Sequence, residues 1–356
     1  MSSVTPPLQN PLIPYPVERA YNVTIRSSTA VSGGFSGAVV FRAMTDDHRE
    51  LAIRRTPGAN VLPPERIKRL CGLLLRISQN GCGVIPVPFL PVRSMSSCHQ
   101  SSNASDVPWL QEDEFIWQIE PWMPGTPLSG PELTSQHVTT GLSALHEFHQ
   151  MATRAVDFAG SDRWFHNGIK PSPAVQRRLR IVTELTDGLL DKMYLRLSLD
   201  SDARFRSLAM RVCKALRTRL PQLHRELSAV VSISFPVQPV LRDVWRAHVL
   251  FTGNHVSGLI DLSAAASDHV TVDVTRLIRS WFGSDVSRVR NAAEEFQSLR
   301  PLNVSEQRLM QVLDTTTVLL SPVTWLRRRM ESGPAQNCPD KVIARLTELT
   351  EVAETF

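Results

Sequence analysis

Pro239-Val240-Leu241-Arg242-Asp243-Val244-Trp245-Arg246-Ala247-His248-Val249-Leu250-Phe251 is followed at short range by Gly258-Leu259-Ile260-Asp261-Leu262. A polar island holding Asp243 precedes an apolar run, and His248 stands five positions on. After Phe251 come Thr252-Gly253-Asn254-His255 and a second apolar run that ends on Asp261. Gly-Asn between two short β-prone runs is a hairpin signal. The expected order is loop, short strand, tight turn, short strand. Such a hairpin brings Asp243, His248 and Asp261 to one end of a two-stranded ribbon, where two carboxylates and an imidazole can hold a metal ion and a base. A surface hairpin with two solvated aspartates fits the same spacing, and spacing alone leaves both readings open.

The stretch resembles the catalytic core of the aminoglycoside phosphotransferase family, whose fold is that of protein kinases. There the pattern is His-Gly-Asp, four residues, Asn, two hydrophobic positions, a turn, and Ile-Asp-Phe-Gly. In the kinase template the first Asp accepts the substrate hydroxyl proton, while the Asn and the second Asp hold magnesium. The resemblance therefore implies Asp243 as the base and Asp261 as the main metal ligand, with His248 at the Asn position beside it. Three positions depart from the pattern: Leu241 replaces the His, His248 the Asn, and Ser263 the Gly. ATP with magnesium is the implied cofactor. Magnesium prefers oxygen ligands whereas neutral imidazole suits transition metals, so His248 brings manganese in as an alternative. A protonated His248 that binds phosphate is another.

Composition sets the frame. A chain of 356 residues with 42% hydrophobic and 21% charged residues is long enough for two lobes and ordinary for a globular protein. No apolar run approaches the ~18–20 residues of a membrane span. Met-Ser-Ser-Val-Thr-Pro-Pro at the start lacks the basic region and apolar core of a signal peptide. Cys71, Cys82, Cys98, Cys213 and Cys338 form no Cys-x-x-Cys pair, so neither a zinc site nor a disulfide frame is suggested. A cytoplasmic protein without a membrane partner is expected. The net charge of +5 comes from basic residues dispersed among acidic ones. The densest run, Arg327-Arg328-Arg329, suits the end of a helix. Aromatic interleaving of the kind that stacks bases is absent, so nucleic acid is not the expected partner.

Upstream, Val31-Ser32-Gly33-Gly34-Phe35-Ser36-Gly37-Ala38-Val39-Val40-Phe41 reads as strand, glycine-rich turn, strand. No Gly-Lys-Ser/Thr follows, so it is not a P-loop. It resembles the Gly-Gly-Phe-Ser-Gly turn at the start of aminoglycoside-phosphotransferase-like kinases, which implies that Gly33, Gly34, Phe35, Ser36 and Gly37 lie over nucleotide phosphates. Leu51 to Arg55 reads as the third strand. The kinase lysine position falls on Arg54, a forked cation able to bind phosphate bidentately; an exposed strand arginine is the plain alternative. Pro63-Pro64-Glu65 opens a helix with Ile67, Leu70, Cys71, Leu74 and Ile77 at helical spacing. Glu65 is a candidate partner of Arg54, and a simple N-terminal charge fits it as well. Phe115 to Glu120 is a strand that runs into Pro121-Trp122-Met123-Pro124-Gly125, a stiff connector. In the family adenine meets this segment, so Glu120, Trp122 and Met123 are implied nucleotide contacts.

From Leu128 the pattern turns helical. Thr134 to Ala155 carries an apolar face of Val138, Leu142, Leu145, Phe148 and Met151, with His146 and His149 on the same helix. Without a third ligand a structural role suits the two histidines better than a metal site; one of them matches the family's Leu-His. Ser172–Leu189 and Ala203–Leu227 are expected helices, the second interrupted at Pro221. Ser305–Met330, broken at Pro322, and Asp340–Ala353 complete a helical C-terminus. Val272-Asp273-Val274-Thr275-Arg276 resembles the family's Asp-Leu-Ala-Arg, which implies that Asp273 is a buried carboxylate tying this helix to the catalytic loop. Leu241 cannot make the hydrogen bonds of a His, so Arg242 or Asp273 must brace that loop.

The expected fold is α+β and bilobal, protein-kinase-like, with a small N-terminal antiparallel sheet lobe and a larger, mainly helical C-terminal lobe. Its expected parts are a lead-in over 1–26, the small lobe over 27–120, a connector over 121–125, and a helical lobe over 126–356 that carries the hairpin 239–262. The implied activity is ATP-dependent transfer of the γ-phosphate to a hydroxyl of a small molecule. The alternative, favoured by Leu241, His248 and Ser263, is a catalytically impaired pseudokinase that binds a nucleotide or a partner. A polycationic aminoglycoside would want carboxylates, yet the large lobe is richer in basic than in acidic residues. The acceptor therefore stays open, as does the oligomeric state.

Overall fold

A computed structural model describes residues 12–31, 38–58, 62–92, 107–156, 162–332 and 338–356. The chain separates into two compact units, Met1–Gly125 with Ser257–Ser263, and Thr126–Val256 with Ala264–Phe356.

In the first unit a short helix, α1 (Tyr15–Tyr21), precedes an antiparallel sheet of β1 (Ile25–Val31), β2 (Val39–Thr45), β3 (Glu50–Pro57), β4 (Leu110–Glu112) and β5 (Phe115–Pro121), in the order β1-β2-β3-β5-β4. Side chains alternate across a strand. Leu51 and Ile53 of β3 therefore share one face, and Ile53 lies opposite Phe41 and Ile119. With Val17 and Tyr21 these residues form the core of the unit. Ala52 and Arg54 take the other face, where Ala52 pairs with Glu120 and Arg54 with Gln118. Register thus puts Glu120 on the face of Arg54. Helix α2 (Pro64–Gln79) starts with proline at its first position and buries Ile67, Leu70, Cys71, Leu74 and Ile77.

Two expected boundaries move. Ile13, Val17, Tyr21 and Ile25 are buried in the sheet core, and the Tyr21 hydroxyl donates to the Trp117 carbonyl at 3.0 Å. From residue 12 on, the segment expected as a loose lead-in is part of the unit, because Val17 and Tyr21, four apart on α1, make an apolar stripe that needs a surface to cover. Residues 257–263, expected in the helical lobe, also belong here. Leu259 N–H donates to the Val84 carbonyl at 2.6 Å, Ser257 Oγ to the Pro124 carbonyl at 2.6 Å, and Arg66 Nη2 to the Ser263 carbonyl at 3.3 Å.

The second unit holds α3 (Ser135–Ala155), α4 (Pro173–Glu184), α5 (Leu190–Leu197), α6 (Ala203–Ser228), α7 (Thr271–Phe282), α8 (Val286–Leu299), α9 (Val304–Ser332) and α10 (Asp340–Glu354). Its strands are β6 (Thr126–Pro127), β7 (Gly168–Pro171), β8 (Ser234–Val240), β9 (Val249–Thr252) and β11 (Ala266–Asp268); β10 (His255–Leu259) starts here and ends in the first unit. β8 runs between β7 and β11, and β9 pairs with β6. The turn at Gly253 and Asn254 joins β9 to β10, with Gly253 at φ 56°. Neither expected helix break occurs: α6 continues through Pro221 and α9 through Pro322. A mid-helix proline costs roughly 3 kcal/mol. Buried Leu220 and Leu223 on one helix, and Leu319 and Val323 on the other, supply the packing that outweighs it. Among the described residues no helix is long and apolar enough to cross a membrane.

Helix α3 meets α7 so closely that a Cβ on Gly141 would lie 2.7 Å from Cη2 of Trp281, whose side chain is itself buried. Alanine is better than glycine in a helix by about 1 kcal/mol, but overpacking a filled core costs typically ~1–3 kcal/mol. Gly141→Ala is therefore expected to lower the melting temperature. A rise on thermal denaturation would show that Trp281 yields.

Candidate active site

In the first unit the site is built on Arg54. The central strand β3 aims it away from the Ile53 core, and its Nη2 donates to Asp261 Oδ1 at 3.1 Å. Ser263 Oγ reaches the same oxygen at 3.3 Å. Burial pulls the Arg54 guanidinium down, but the charges of Asp261 and Glu120 more than reverse this and leave it above the ordinary arginine value. Burial pushes the Glu120 carboxyl above the usual range, against the pull of Arg54, and Asp261 adds to the rise. The hard carboxylate oxygens of Asp261 are of the kind that suits a divalent cation such as magnesium. Among the described residues no group of three His, Cys, Asp or Glu side chains could hold a metal by itself. Glu65 does not reach Arg54; it pairs with Arg69 at 2.8 Å, one helical turn on. Trp122 is held by its N–H on the Glu50 carbonyl at 3.0 Å and by Arg42, 5.0 Å above its ring, while Met123 is half-buried beside it in the chain. Gly33, Gly34, Phe35, Ser36 and Gly37 lie outside the described residues.

In the second unit β8 delivers the chain to Leu241-Arg242-Asp243. Arg242 has φ 64°. Among the described residues the others with left-handed φ, apart from glycines, are Asn22, His48, Asp113 and Asp261, types that visit this region most readily. Arginine is not among them, and such a conformation costs on the order of 1–3 kcal/mol and persists only where surroundings impose it. Asp273 imposes it here. Fully buried, it accepts from Leu241 N–H at 2.7 Å, from Arg242 N–H at 2.6 Å and from His149 Nε2–H at 2.8 Å. The brace that Leu241 cannot supply is thus a carboxylate on α7 acting on backbone. Arg242 contributes its backbone, and its side chain makes no bond to the loop.

Asp243, which follows, keeps its carboxylate about half exposed, 46%, and pairs with Arg276 of α7. His248 closes the loop upon itself. Its Nδ1–H donates to the Asp243 carbonyl at 2.8 Å, and its Nε2 accepts from Trp245 Nε1–H at 2.7 Å. This differs from the expectation of a metal ligand. An imidazole ligates through a nitrogen lone pair, and the Nε2 lone pair takes the Trp245 proton instead. Arg345 lies 4.7 Å above the Trp245 ring, and Glu348 beside it pairs with both Arg345 and Arg246. The last helix, α10, therefore backs the loop.

His149, Arg276, Trp245 and Glu348 were not assigned these roles by sequence reading. His149 left one signal: it lies on the stripe of Leu142, Leu145 and Ala152, all buried, where a polar group needs a partner. His146, the histidine that follows a leucine, instead meets Gln150 at 2.9 Å. The other three left no local signal.

Comparison with known proteins adds to this geometry. The chain is similar to homoserine kinase of Agrobacterium fabrum (strain C58 / ATCC 33970), 29% identical over 111 residues, which are 30% of this chain and 34% of that protein. It is similar to homoserine kinase of Rhizobium johnstonii, 31% identical over 98 residues, 26% of this chain and 30% of that protein. The matches thus span about a third of these curated relatives. In structure the chain is similar to a spectinomycin phosphotransferase solved with ADP and spectinomycin, with a TM-score of 0.63 and 14% identity over 99% of this chain and 100% of that one. An aminoglycoside phosphotransferase from Alicyclobacillus acidocaldarius gives a TM-score of 0.57 and 18% identity over 98% and 94% of the two chains. At such identities the likeness establishes the protein-kinase-like fold, with its antiparallel sheet and mainly helical remainder. A family model described as the phosphotransferase enzyme family matches residues 27–302, most of the chain. On that match the chain belongs to the phosphotransferase enzyme family.

Proposed function

We propose that the protein is an ATP-dependent kinase that transfers the γ-phosphate to a hydroxyl of a small molecule. The observation that carries this reading is the strained Arg242, gripped by the buried Asp273 so that the next residue, Asp243, is presented half exposed. A scaffold that spends buried hydrogen bonds to hold one acid in position is what positioning catalysis requires.

Each unit has its task. Asp243 accepts the proton of the acceptor hydroxyl as the oxygen attacks phosphorus, and Arg276 holds that carboxylate in orientation. Arg54 offers a permanent forked cation for phosphate oxygens, and Glu120 and Asp261 keep it charged. Asp261 would hold the metal, which when bound would supply charge neutralisation at the nucleotide phosphates. In this reading His248 braces the Asp243 loop rather than holding the metal. The Gly33–Gly37 turn and the segment Glu120, Trp122 and Met123 are the proposed nucleotide contacts, by resemblance to the family.

A thermal-shift titration with ATP tests the nucleotide half. Runs with magnesium, manganese and chelator are compared for the native chain and Asp261→Ala. At about 100 times its dissociation constant a ligand that binds only the folded state adds ~2.7 kcal/mol. The expected result is a metal-dependent rise that vanishes in Asp261→Ala. No rise with any metal would overturn the reading.

A further inference from the structure

Several arginines gather around the loop of Asp243, and among them Arg276 is ion-paired, to Asp243 itself. Arg242 and Arg177 make no side-chain hydrogen bond or ion pair among the described residues, and Nε of Arg242 is buried without a partner. Arg276 gives one nitrogen to Asp243, while its Nε is also buried and unpartnered. Arg178, fully enclosed, donates to the Leu313 carbonyl at 2.6 Å and to the hydroxyls of Thr316 and Thr317 at 2.6 and 2.9 Å, all neutral acceptors.

These side chains come together for a structural reason. Asp268 at the end of β11 accepts from Ser172 Oγ at 2.6 Å and from Ala174 N–H at 2.8 Å, which pins the start of α4. Arg177 lies one turn beyond Ala174. Partial desolvation lowers the Arg177 guanidinium and the charge of Arg242 lowers it further; Asp268 opposes this in part, and Arg276 adds to the lowering. Burial pushes Arg178 down to about 9, with Arg177 and then Arg276 as its main charged neighbours. The carboxylates within reach are committed. Asp268 and Asp273 are fully buried and turned to backbone N–H groups. Asp243 is the proposed base, and Asp314 forms a two-point pair with Arg279.

Like charges crowded at the edge of a solvent-open loop are unfavourable unless a ligand supplies the missing anion. We propose that the acceptor is a hydroxyl compound bearing an anionic group, a carboxylate or a phosphate ester, which Arg242 and Arg177 bind while its hydroxyl meets Asp243. The word acceptor rests on the phosphotransferase reading; the anion site does not. Forked guanidinium donors match the planar carboxylate and the tetrahedral phosphate. The same field repels polycations, so this site selects against amine-rich sugars. Arg276, shared between Asp243 and the anion, acts as a positioning residue.

The test uses the full chain and three probes that differ in charge: glycerol, D-glycerate and glycerol 3-phosphate, at constant ionic strength. Calorimetric titration is expected to show binding of at least one anion and none of glycerol, and the preferred anion tells carboxylate from phosphate. Arg177→Gln, on the surface, and Arg242→Gly, which suits the left-handed backbone, should each weaken that binding at least tenfold. Arg242→Gly should do so without lowering the melting temperature, and Arg54→Gln should leave binding unchanged. Anions that bind no better than glycerol, or that bind both variants undiminished, would overturn the proposal. Transfer from ATP to the bound anion is measured separately: binding without transfer would keep the anion site and remove the kinase reading, whereas efficient transfer to a neutral or cationic acceptor would do the reverse.

Discussion

Asp243→Asn is expected to leave nucleotide binding nearly intact and to reduce phosphoryl transfer by about 10²–10⁴-fold, the usual worth of a positioned general base. Asparagine has almost the same shape and keeps an oxygen for Arg276, so the loop should hold. What it loses is the negative charge and the ability to accept a proton. The effect should fall on kcat, because the acceptor proton is removed as the oxygen attacks. The backbone carbonyl of residue 243 still receives the His248 proton, so the imidazole brace is undisturbed. Steady-state turnover beside a nucleotide titration separates the two quantities. Undiminished turnover in this variant would exclude Asp243 as the base.

Asp273→Ala should act mainly on stability. Its carboxylate is wholly inaccessible and receives three hydrogen bonds, two from backbone and one from His149. Without it a buried N–H, a partly buried N–H and an imidazole lose their acceptor. Orphaned buried groups cost roughly 1–3 kcal/mol each. A loss at the upper end of that scale is expected. The grip that holds Arg242 in its left-handed conformation would go with it, so transfer should fall as well. Asp273→Asn separates the two effects: one amide oxygen can keep one N–H, and an intermediate loss of both stability and turnover is expected. Chemical denaturation followed by helical circular dichroism reads the first, and an ATP turnover assay the second. A melting curve unchanged in Asp273→Ala would show that the loop is held by something else.

Much of this protein could be read along the chain. Strand β3 was legible from Leu51 and Ile53 alternating with Ala52 and Arg54, and α2 from its proline start and its apolar stripe. The β9–β10 hairpin was legible from Gly253-Asn254 between two apolar runs. These are local matters, settled by backbone propensity and by periods of two and 3.6 residues. The order of the glycine-rich turn, the basic third strand with Arg54, the connector, the Asp243 loop and Asp261 along the sequence was enough to suggest the family.

Tertiary structure alone decided who holds whom. Pro221 and Pro322 argue locally for breaks, and only the packing of their neighbours overrules them. Glu65, next to a helix start, turned to Arg69, while the sheet register placed Glu120 on the face of Arg54. His248 matched a ligand position, but Trp245 occupies its lone pair. His149 and Asp273 are 124 residues apart, and Asp243 and Arg276 are 33 apart. Bonds over such separations leave no periodicity or turn signal, because they depend on where two elements come to rest. The candidate reacting groups were therefore named from the residues alone, whereas the charges and hydrogen bonds that orient them arise only when α3, α7 and the Asp243 loop pack together.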